Sequence, residues 1–532
     1  MANALQRDLI QLVKAAEDAA SCRRRTWAQT YHLMPPVGWL NDPNGLYEKD
    51  GVFHAYFQYA PFDVEGGVKM WGHSTSSDLV SWTYEGCALY PDEPFDCHGV
   101  YSGSALVHDD HVSMFYTGNV KLPDGSGAYD YINTGREGNT VVVDTADGET
   151  FGEKRLLLGN ASYPADLSCH VRDPKVWRAD APCGRYLMVL GARRRGTAEE
   201  AGPAKDSVPA SPSPRRELFA RCHGASCERD AGEVLVYVSD DLQTWRLQNR
   251  IQSSERFGFM WECPDYFELD ALQVLSFSPQ GLFGGDWEHR NVYQSGYVPF
   301  AGDICGRYEL GTFRLWDAGF DFYAPQTFVA EDGRRILMGW MGMPEDAAYG
   351  NDPTIAEGWQ HCFTVPRELT AGNGGVVLQR PVREVASLRG QAHRAVDELH
   401  LDVMPTACDI ALEDVGDEMH VVLGEELELF VTCDPDERHV RFVMRFRDSG
   451  RNAASCGRTE RWERVDAVRS VRILVDTSSV EVFVNDGELV MSTRWYPRSR
   501  SCAIRVPGAR ITCWELNANG KRGSYESFAG CP

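Results

Sequence analysis

The chain is predicted to be mostly β, with one short helix at its start and at least two domains. Three observations lead there. Its 532 residues exceed what a single core normally organises. Gly, Pro and aromatic residues are plentiful, while helical periodicity is scarce after the first two dozen residues. Short apolar runs bounded by Gly, Pro, Asn and Asp recur at fairly even spacing, clearest at 52–59, 101–107, 186–190 and 234–238. Such runs indicate a propeller, a barrel or a sandwich. One internal echo helps to choose. Asp78-Leu79-Val80-Ser81-Trp82 returns as Asp241-Leu242-Gln243-Thr244-Trp245, each after a strand, as blades sharing a closing turn would leave behind.

Taken in order, residues 2–24 place Leu5, Leu9, Leu12, Val13 and Ala16 on one helical face, with Arg7, Asp8, Lys14, Glu17 and Asp18 mostly elsewhere. The polar face is not predominantly basic, so this helix is expected to dock on the main domain rather than on a membrane surface. Residues 192–232 break the strand rhythm with mixed charge and Pro-Ser sequence, and read as a mobile surface insertion carrying Cys222 and Cys227. From about residue 400 alternation resumes. Val471-Arg472-Ile473-Leu474-Val475 and Val480-Glu481-Val482-Phe483-Val484 lead into Asn485-Asp486-Gly487, a strong hairpin signal, and the region reads as a β-sandwich. The expected division is 1–26 helix, 27–385 main domain and 386–532 sandwich, with the boundary between 380 and 395.

Composition excludes several roles. Fifty-three basic against 77 acidic residues give a formal charge of -24, which disfavours nucleic acid as a partner. Sixteen cysteines scattered from Cys22 to Cys531 read as mostly reduced thiols rather than a disulfide framework. No CxxC, HExxH or similar grouping appears, so neither a metal nor another cofactor is expected. The start carries Arg7 and Asp8 before any apolar run, and no stretch has the length and apolarity of a membrane span. A cytoplasmic address without a membrane partner is the expectation, and nothing excludes a homo-oligomer.

The chemistry concentrates in three places. Residues 31–47 read Tyr-His-Leu-Met-Pro-Pro-Val-Gly-Trp-Leu-Asn-Asp-Pro-Asn-Gly-Leu-Tyr, setting Trp39, Asn41 and Asp42 beside Pro43 and Gly45 so that a turn presents short polar groups without flexible stems. Glu262 lies in Gly258-Phe259-Met260-Trp261-Glu262-Cys263-Pro264-Asp265, where apolar neighbours would desolvate it and keep it protonated as an acid. A third carboxylate, Asp173, sits in Val171-Arg172-Asp173-Pro174-Lys175. Each alone is commonly a turn residue or an ion-pair member. Further motifs are Gln58, Met70-Trp71-Gly72-His73, Tyr101-Ser102-Gly103-Ser104, Gln294-Ser295-Gly296-Tyr297 and Asp321-Phe322-Tyr323-Ala324-Pro325-Gln326.

These motifs, in this order over roughly residues 27–380, closely resemble glycoside hydrolase family 32, the invertase and sucrose-6-phosphate hydrolase group. The resemblance implies a five-bladed β-propeller with the site in its axial funnel, followed by a β-sandwich. It implies Asp42 as nucleophile, Glu262 as acid/base and Asp173 as stabiliser of the fructosyl ring. Trp39, Asn41, Gln58, Trp71, Tyr101, Ser102, Arg172 and Tyr323 fall on sugar-contacting positions. Tyr101 stands where the family commonly has Phe, and the 192–232 insertion has no usual counterpart. The implied activity is retaining hydrolysis of terminal β-D-fructofuranosyl units from sucrose, sucrose 6-phosphate or short fructo-oligosaccharides. A fructosyltransferase and a non-catalytic sugar-binding propeller are the alternatives.

Overall fold

The computed structural model describes residues 3–21, 23, 25–108, 110–123, 130, 132–196, 225–282, 290–344, 349–433, 439–447 and 453–517. Between Gly38 and Pro381 the chain forms five antiparallel sheets, each built mainly from four strands in sequence order. The first comprises Gly38–Lys49, Val52–Ala60, Met70–Ser76 and Thr83–Leu89. The others begin with Val100–His108, Leu167–Ala181, Met260–Leu269 and Tyr323–Val329. These five leading strands touch in a closed circle, each against the next and the fifth against the first, so the sheets are blades around an axis. A short parallel pairing, Gly38 with Trp359 and Trp39 with Gln360, stitches the two ends of the ring together. The fold is thus the five-bladed propeller expected from the resemblance.

The echo in the sequence marks a shared turn. Asp78 Oδ1 accepts from the Val80 and Ser81 amides, Asp241 Oδ1 from those of Gln243 and Thr244, and Leu79 and Leu242 take φ of 60° and 61°. A third copy closes blade 2, where Asp147 Oδ1 accepts from Glu149 and Thr150 and Gly148 holds the positive φ. Glycine replaced leucine there, so the letters no longer matched although the turn did.

Beyond the propeller, nine strands follow one hydrogen-bonded path and a tenth, Arg389–Leu401, pairs beside it with the final strand. The final strand, Cys502–Leu516, pairs at its start with His420–Leu423 and at its end with Cys408–Glu413, so it serves both layers of the sandwich. The buried aliphatic core between them includes Ile410, Leu429, Phe442, Ile473 and Val482.

Two local expectations need amendment. The helix runs Ala4–Ser21, but its docking face is Leu9, Val13 and Ala20 together with Glu17, while Leu5 and Leu12 point to solvent at 49% and 57% exposure. Glu17 is drawn inward because its carboxylate accepts from the hydroxyls of Tyr59 and Tyr84 at 3.0 and 2.6 Å. In the 192–232 stretch, Gly184–Arg194 is a strand and Ala231–Ser239 begins the next, so both flanks are sheet; residues 197–224, with Cys222, lie outside the described residues. Cys227 is buried beside Phe259 and Met260. Among the cysteines, Cys183 and Cys305 form a disulfide between turns of blades 3 and 4. Among the described residues no helix is long and apolar enough to cross a membrane.

Candidate active site

Each innermost strand carries a β-bulge where two residues face one on its neighbour, and the interrupted pairs are Leu40/Pro43, Val100/Gly103, Arg172/Lys175, Glu262/Asp265 and Tyr323/Gln326. The sequence dictates this. Pro43, Pro174, Pro264 and Pro325 have no N–H to give a ladder, and in blade 2 Gly103 admits a backbone approach that a Cβ would bring to 1.9 Å from the Phe115 carbonyl. A bulge turns a side chain away from the alternation of its strand. Asp173, Cys263 and Ala324 take positive φ of 66°, 47° and 48°, an uncommon conformation for residues other than glycine. Five bulges around one axis therefore bring Asp42, Ser102, Asp173 and Glu262 to a common end of the propeller.

The geometry joins the three acids. The Cys263 amide donates to Asp173 Oδ2 at 2.9 Å, and its thiol lies 3.7 Å from that oxygen and 3.8 Å from Asp42 Oδ2. Glu262 is the preceding residue. Asp42 accepts from Ser102 Oγ at 2.5 Å and from Asn41 Nδ2 at 3.0 Å, with Gln58 Nε2 at 3.4 Å. Asn41 is held in turn by the Trp39 indole N–H at 2.6 Å and donates to Gln58 Oε1 at 3.0 Å. Both Asp42 oxygens are thus held by neutral donors, Oδ1 by Asn41 and Oδ2 by Ser102, which orient a carboxylate without cancelling its charge as a close cation would.

Glu262 is set differently. Its Oε1 accepts two bonds from Arg172, from Nε at 3.1 Å and Nη2 at 2.5 Å, while Oε2 accepts from Tyr323 Oη and Gln280 Nε2, both at 2.6 Å. Arg172 Nη1 also donates to His170 Nδ1 at 2.7 Å, so His170 is neutral on that nitrogen and steers the guanidinium. The expected apolar surroundings of Glu262 are therefore only part of its setting; a polar cage holds both oxygens.

Burial pushes Asp42 above the usual carboxylate range; the Ser102 and Asn41 bonds oppose this and the Glu262 charge adds to it. Burial likewise lifts Asp173, and with the Glu262 charge it outweighs Arg172 and carries Asp173 up to about 7. Asp173 and Glu262 share one guanidinium while Asp42 adds a third carboxyl, and the three cannot all ionise cheaply.

Of the positions expected to contact a sugar, Trp39, Asn41, Gln58, Ser102, Arg172 and Tyr323 converge here, and Tyr101, next to Ser102, is half-buried. Trp71 does not. Its indole is fully buried among Tyr56 and Tyr116 and its N–H is spent on the Tyr101 carbonyl at 3.0 Å, so it supports that strand from behind. Residues not foreseen complete the setting: Gln280, His170, the Cys263 thiol, and an aromatic wall of Trp340, Tyr349 and His361 around Trp39. Lys69 Nζ rides on the Trp39 face, 4.6 Å from the ring centre, and burial lowers it to about 7 against the charges of Asp42 and Asp63. Cys263 and His170 sit in or beside the carboxyl motifs, whereas Gln280, Tyr349 and His361 are brought in by the fold alone. No cluster of metal-ligating side chains occurs among the described residues.

Comparison with known proteins decides the family. The Glycosyl hydrolases family 32 N-terminal domain matches residues 32–201 and 215–381, and the family's C-terminal domain matches 437–512. This chain belongs to glycoside hydrolase family 32. It is an enzyme, a glycosidase of the β-fructofuranosidase type. It is 36% identical over 483 residues to a sucrose-6-phosphate hydrolase of Bacillus subtilis, covering 88% of this chain and 89% of that protein. A raffinose invertase of Escherichia coli is 34% identical, covering 94% and 96%. The solved sucrose-6-phosphate hydrolase of Lactobacillus gasseri superposes with a TM-score of 0.78 at 26% identity, covering 96% of each chain. A Bombyx mori β-fructofuranosidase, solved as a mutant in complex with sucrose, gives 0.72 at 26% identity, covering 96% of this chain and 98% of that one.

Proposed function

We propose that this family 32 enzyme releases the terminal β-D-fructofuranosyl unit of sucrose or sucrose 6-phosphate, with retention, through a fructosyl ester on Asp42. The observation that carries this reading is the Cys263 bridge, whose amide and thiol tie Asp173 and Asp42 to the residue next to Glu262. In a retaining glycosidase one carboxylate attacks the anomeric carbon while a second carboxyl protonates the leaving oxygen and later activates water.

The environments support these roles. Asp42 is oriented by Ser102 and Asn41 as an exposed lone pair needs to be. On Glu262, Oε1 lies under a guanidinium that can only donate, whereas Oε2 meets the Tyr323 hydroxyl, which donates to a carboxylate and accepts from a carboxylic acid. Oε2 is therefore the oxygen that holds and delivers the proton. Asp173 stands where it can bond ring hydroxyls more strongly as positive charge develops, which accelerates the reaction where equal bonding would not.

The first-formed sugar tests the mechanism: NMR of the initial product should show β-D-fructofuranose before mutarotation, and an initial α-anomer would contradict it. Ratios of kcat/KM for sucrose, sucrose 6-phosphate and a fructotriose then name the substrate. Tyr323→Phe keeps the ring that packs on Tyr293 and Trp340 but loses the bond to Glu262. Its kcat should drop roughly 10-fold to 100-fold, as for one hydrogen bond to a charged group, with an unchanged Tm.

A further inference from the structure

Directly beyond the bulges, each innermost strand sends one more polar side chain into the space between blades, and together they form a continuous seam. Asn44 Oδ1 accepts from the Gly103 amide at 3.0 Å, joining blade 1 to blade 2. Ser104 Oγ donates to the Pro174 carbonyl at 2.8 Å and accepts from the Val176 amide at 3.2 Å, joining blade 2 to blade 3. Lys175 Nζ meets Asp265 Oδ2 at 3.3 Å, joining blade 3 to blade 4, and also donates to the Thr327 carbonyl. Asp265 Oδ2 accepts from the Thr327 amide and hydroxyl at 3.0 and 2.8 Å, joining blade 4 to blade 5. Gln326 Nε2 crosses to the Gly103 carbonyl at 2.5 Å, closing the seam.

Its position is what matters. A bulge leaves the residue that points at the axis without ladder bonds in its own blade, so the strand is least determined where it carries the chemistry. Lys175 and Asp265 are the residues at which strands 3 and 4 rejoin their ladders, opposite Val189 and Ser276. Lys175 is two residues past Asp173 and Asp265 three past Glu262. Through Thr327 the same pair reaches the strand carrying Tyr323, the donor to Glu262. Three of the strands that surround the leaving-group oxygen thus meet at one ion pair, 1% exposed on the Asp265 side and 11% on that of Lys175.

We propose that the Lys175–Asp265 pair is a positioning element of the catalytic centre, fixing the mutual placement of Asp173 and Glu262 and neutralising itself so that it adds no net field beneath them. This rests on the roles proposed above for the three carboxyls. The two functions separate by charge. Lys175→Met removes one positive charge from beneath the site, which raises neighbouring carboxyl pKa values; Asp265→Asn removes one negative charge, which lowers them. Arg335, whose charge acts on both members of the pair, is present in both variants.

The test measures kcat, KM and the pH–rate profile for sucrose in Lys175→Met, Asp265→Asn and the double variant, with Tm and circular dichroism as checks on folding. Misplacing a catalytic group by an ångström costs on the order of 100-fold, so each single variant should lose roughly 10-fold to 100-fold in kcat with KM little changed. The profile should move alkaline in Lys175→Met and acid in Asp265→Asn, and return to the wild-type position in the double variant while kcat stays low. A merely structural pair cannot shift the profile in opposite directions. Wild-type kcat with unmoved profiles in the folded single variants would overturn the proposal. Where a single variant does not fold, the double variant, which removes both charges of the pair, decides by its kcat alone. Inactivity of Asp42→Asn beside wild-type kcat in these variants overturns the positioning role only; wild-type activity in Asp42→Asn removes the underlying reading and the positioning role with it.

Discussion

Asp42→Asn is expected to fold like the wild type and to lose at least about 10⁴-fold in kcat for sucrose, because an amide cannot form the glycosyl ester on which a retaining reaction turns. The fold should survive because the surrounding bonds are ones an amide can keep. The retained oxygen can accept from Asn41 Nδ2, and the new amide N–H can donate to Ser102 Oγ, a hydroxyl that accepts as well as donates. Removing the charge also relieves the repulsion from Glu262 that helps hold Asp42 above its ordinary pKa, so stability should not fall. Circular dichroism and Tm check the fold; initial rates check the chemistry. Glu262→Gln gives the complement. Its loss should be large, on the order of 10²-fold to 10⁴-fold, for a leaving group that needs a proton, and much smaller for a fructoside with a good leaving group. Equal losses on both donors would remove Glu262 from the acid role.

The same geometry sets a pH dependence. Asp173 is carried up to about 7 by burial and by Glu262, so it changes charge near neutral pH. Its ionised form is the one that stabilises a cationic transition state. The charges of Glu262 and Asp42 both act on Asp173, so the profile reports interacting groups and not Asp173 alone.

Much of this was legible in the letters, for a physical reason. Propeller bulges need Pro or Gly at fixed places, and Asn-Asp-Pro, Arg-Asp-Pro and Glu-Cys-Pro are those places carrying carboxyls; local backbone chemistry and catalytic chemistry are written in the same tripeptides. Trp71 misled because a tryptophan in a motif says nothing about which side of its strand it faces, and here it faces the core. Gln280 was invisible because it acts on Glu262 from the neighbouring strand, and His170 because its partner is the Arg172 side chain two residues along its own strand, which no local motif reveals. Leu5 and Leu12 failed as a docking face because two tyrosine hydroxyls made Glu17 the better residue to bury.

The charged joint between propeller and sandwich carries the second large effect. His32, ten residues before Asp42, is wholly buried with Nδ1 2.8 Å from Asp476 and Nε2 2.9 Å from Glu481. Asp476 also accepts from the Thr30 amide at 2.9 Å and its hydroxyl at 2.7 Å, and Glu481 also meets Arg367, so the strand leading into the site is anchored on the C-terminal domain. Burial alone would lower the His32 pKa, but the two carboxylates outweigh it and raise it from 6.5 to about 9. The raised folded value means that its contribution is fully present below about 6.5 and is lost as pH climbs through 9. A shift of that size corresponds to about 3 kcal/mol. Wild-type stability should therefore decline between pH 6.5 and 10. His32→Leu strands two buried carboxylates and should be destabilised by about 3–5 kcal/mol at pH 6. Much of that difference from wild type should vanish by pH 10, where the wild-type imidazole is itself neutral. Chemical denaturation of both proteins at pH 6, 8 and 10 measures this, and parallel pH dependences would show that His32 is not the charged link between the domains.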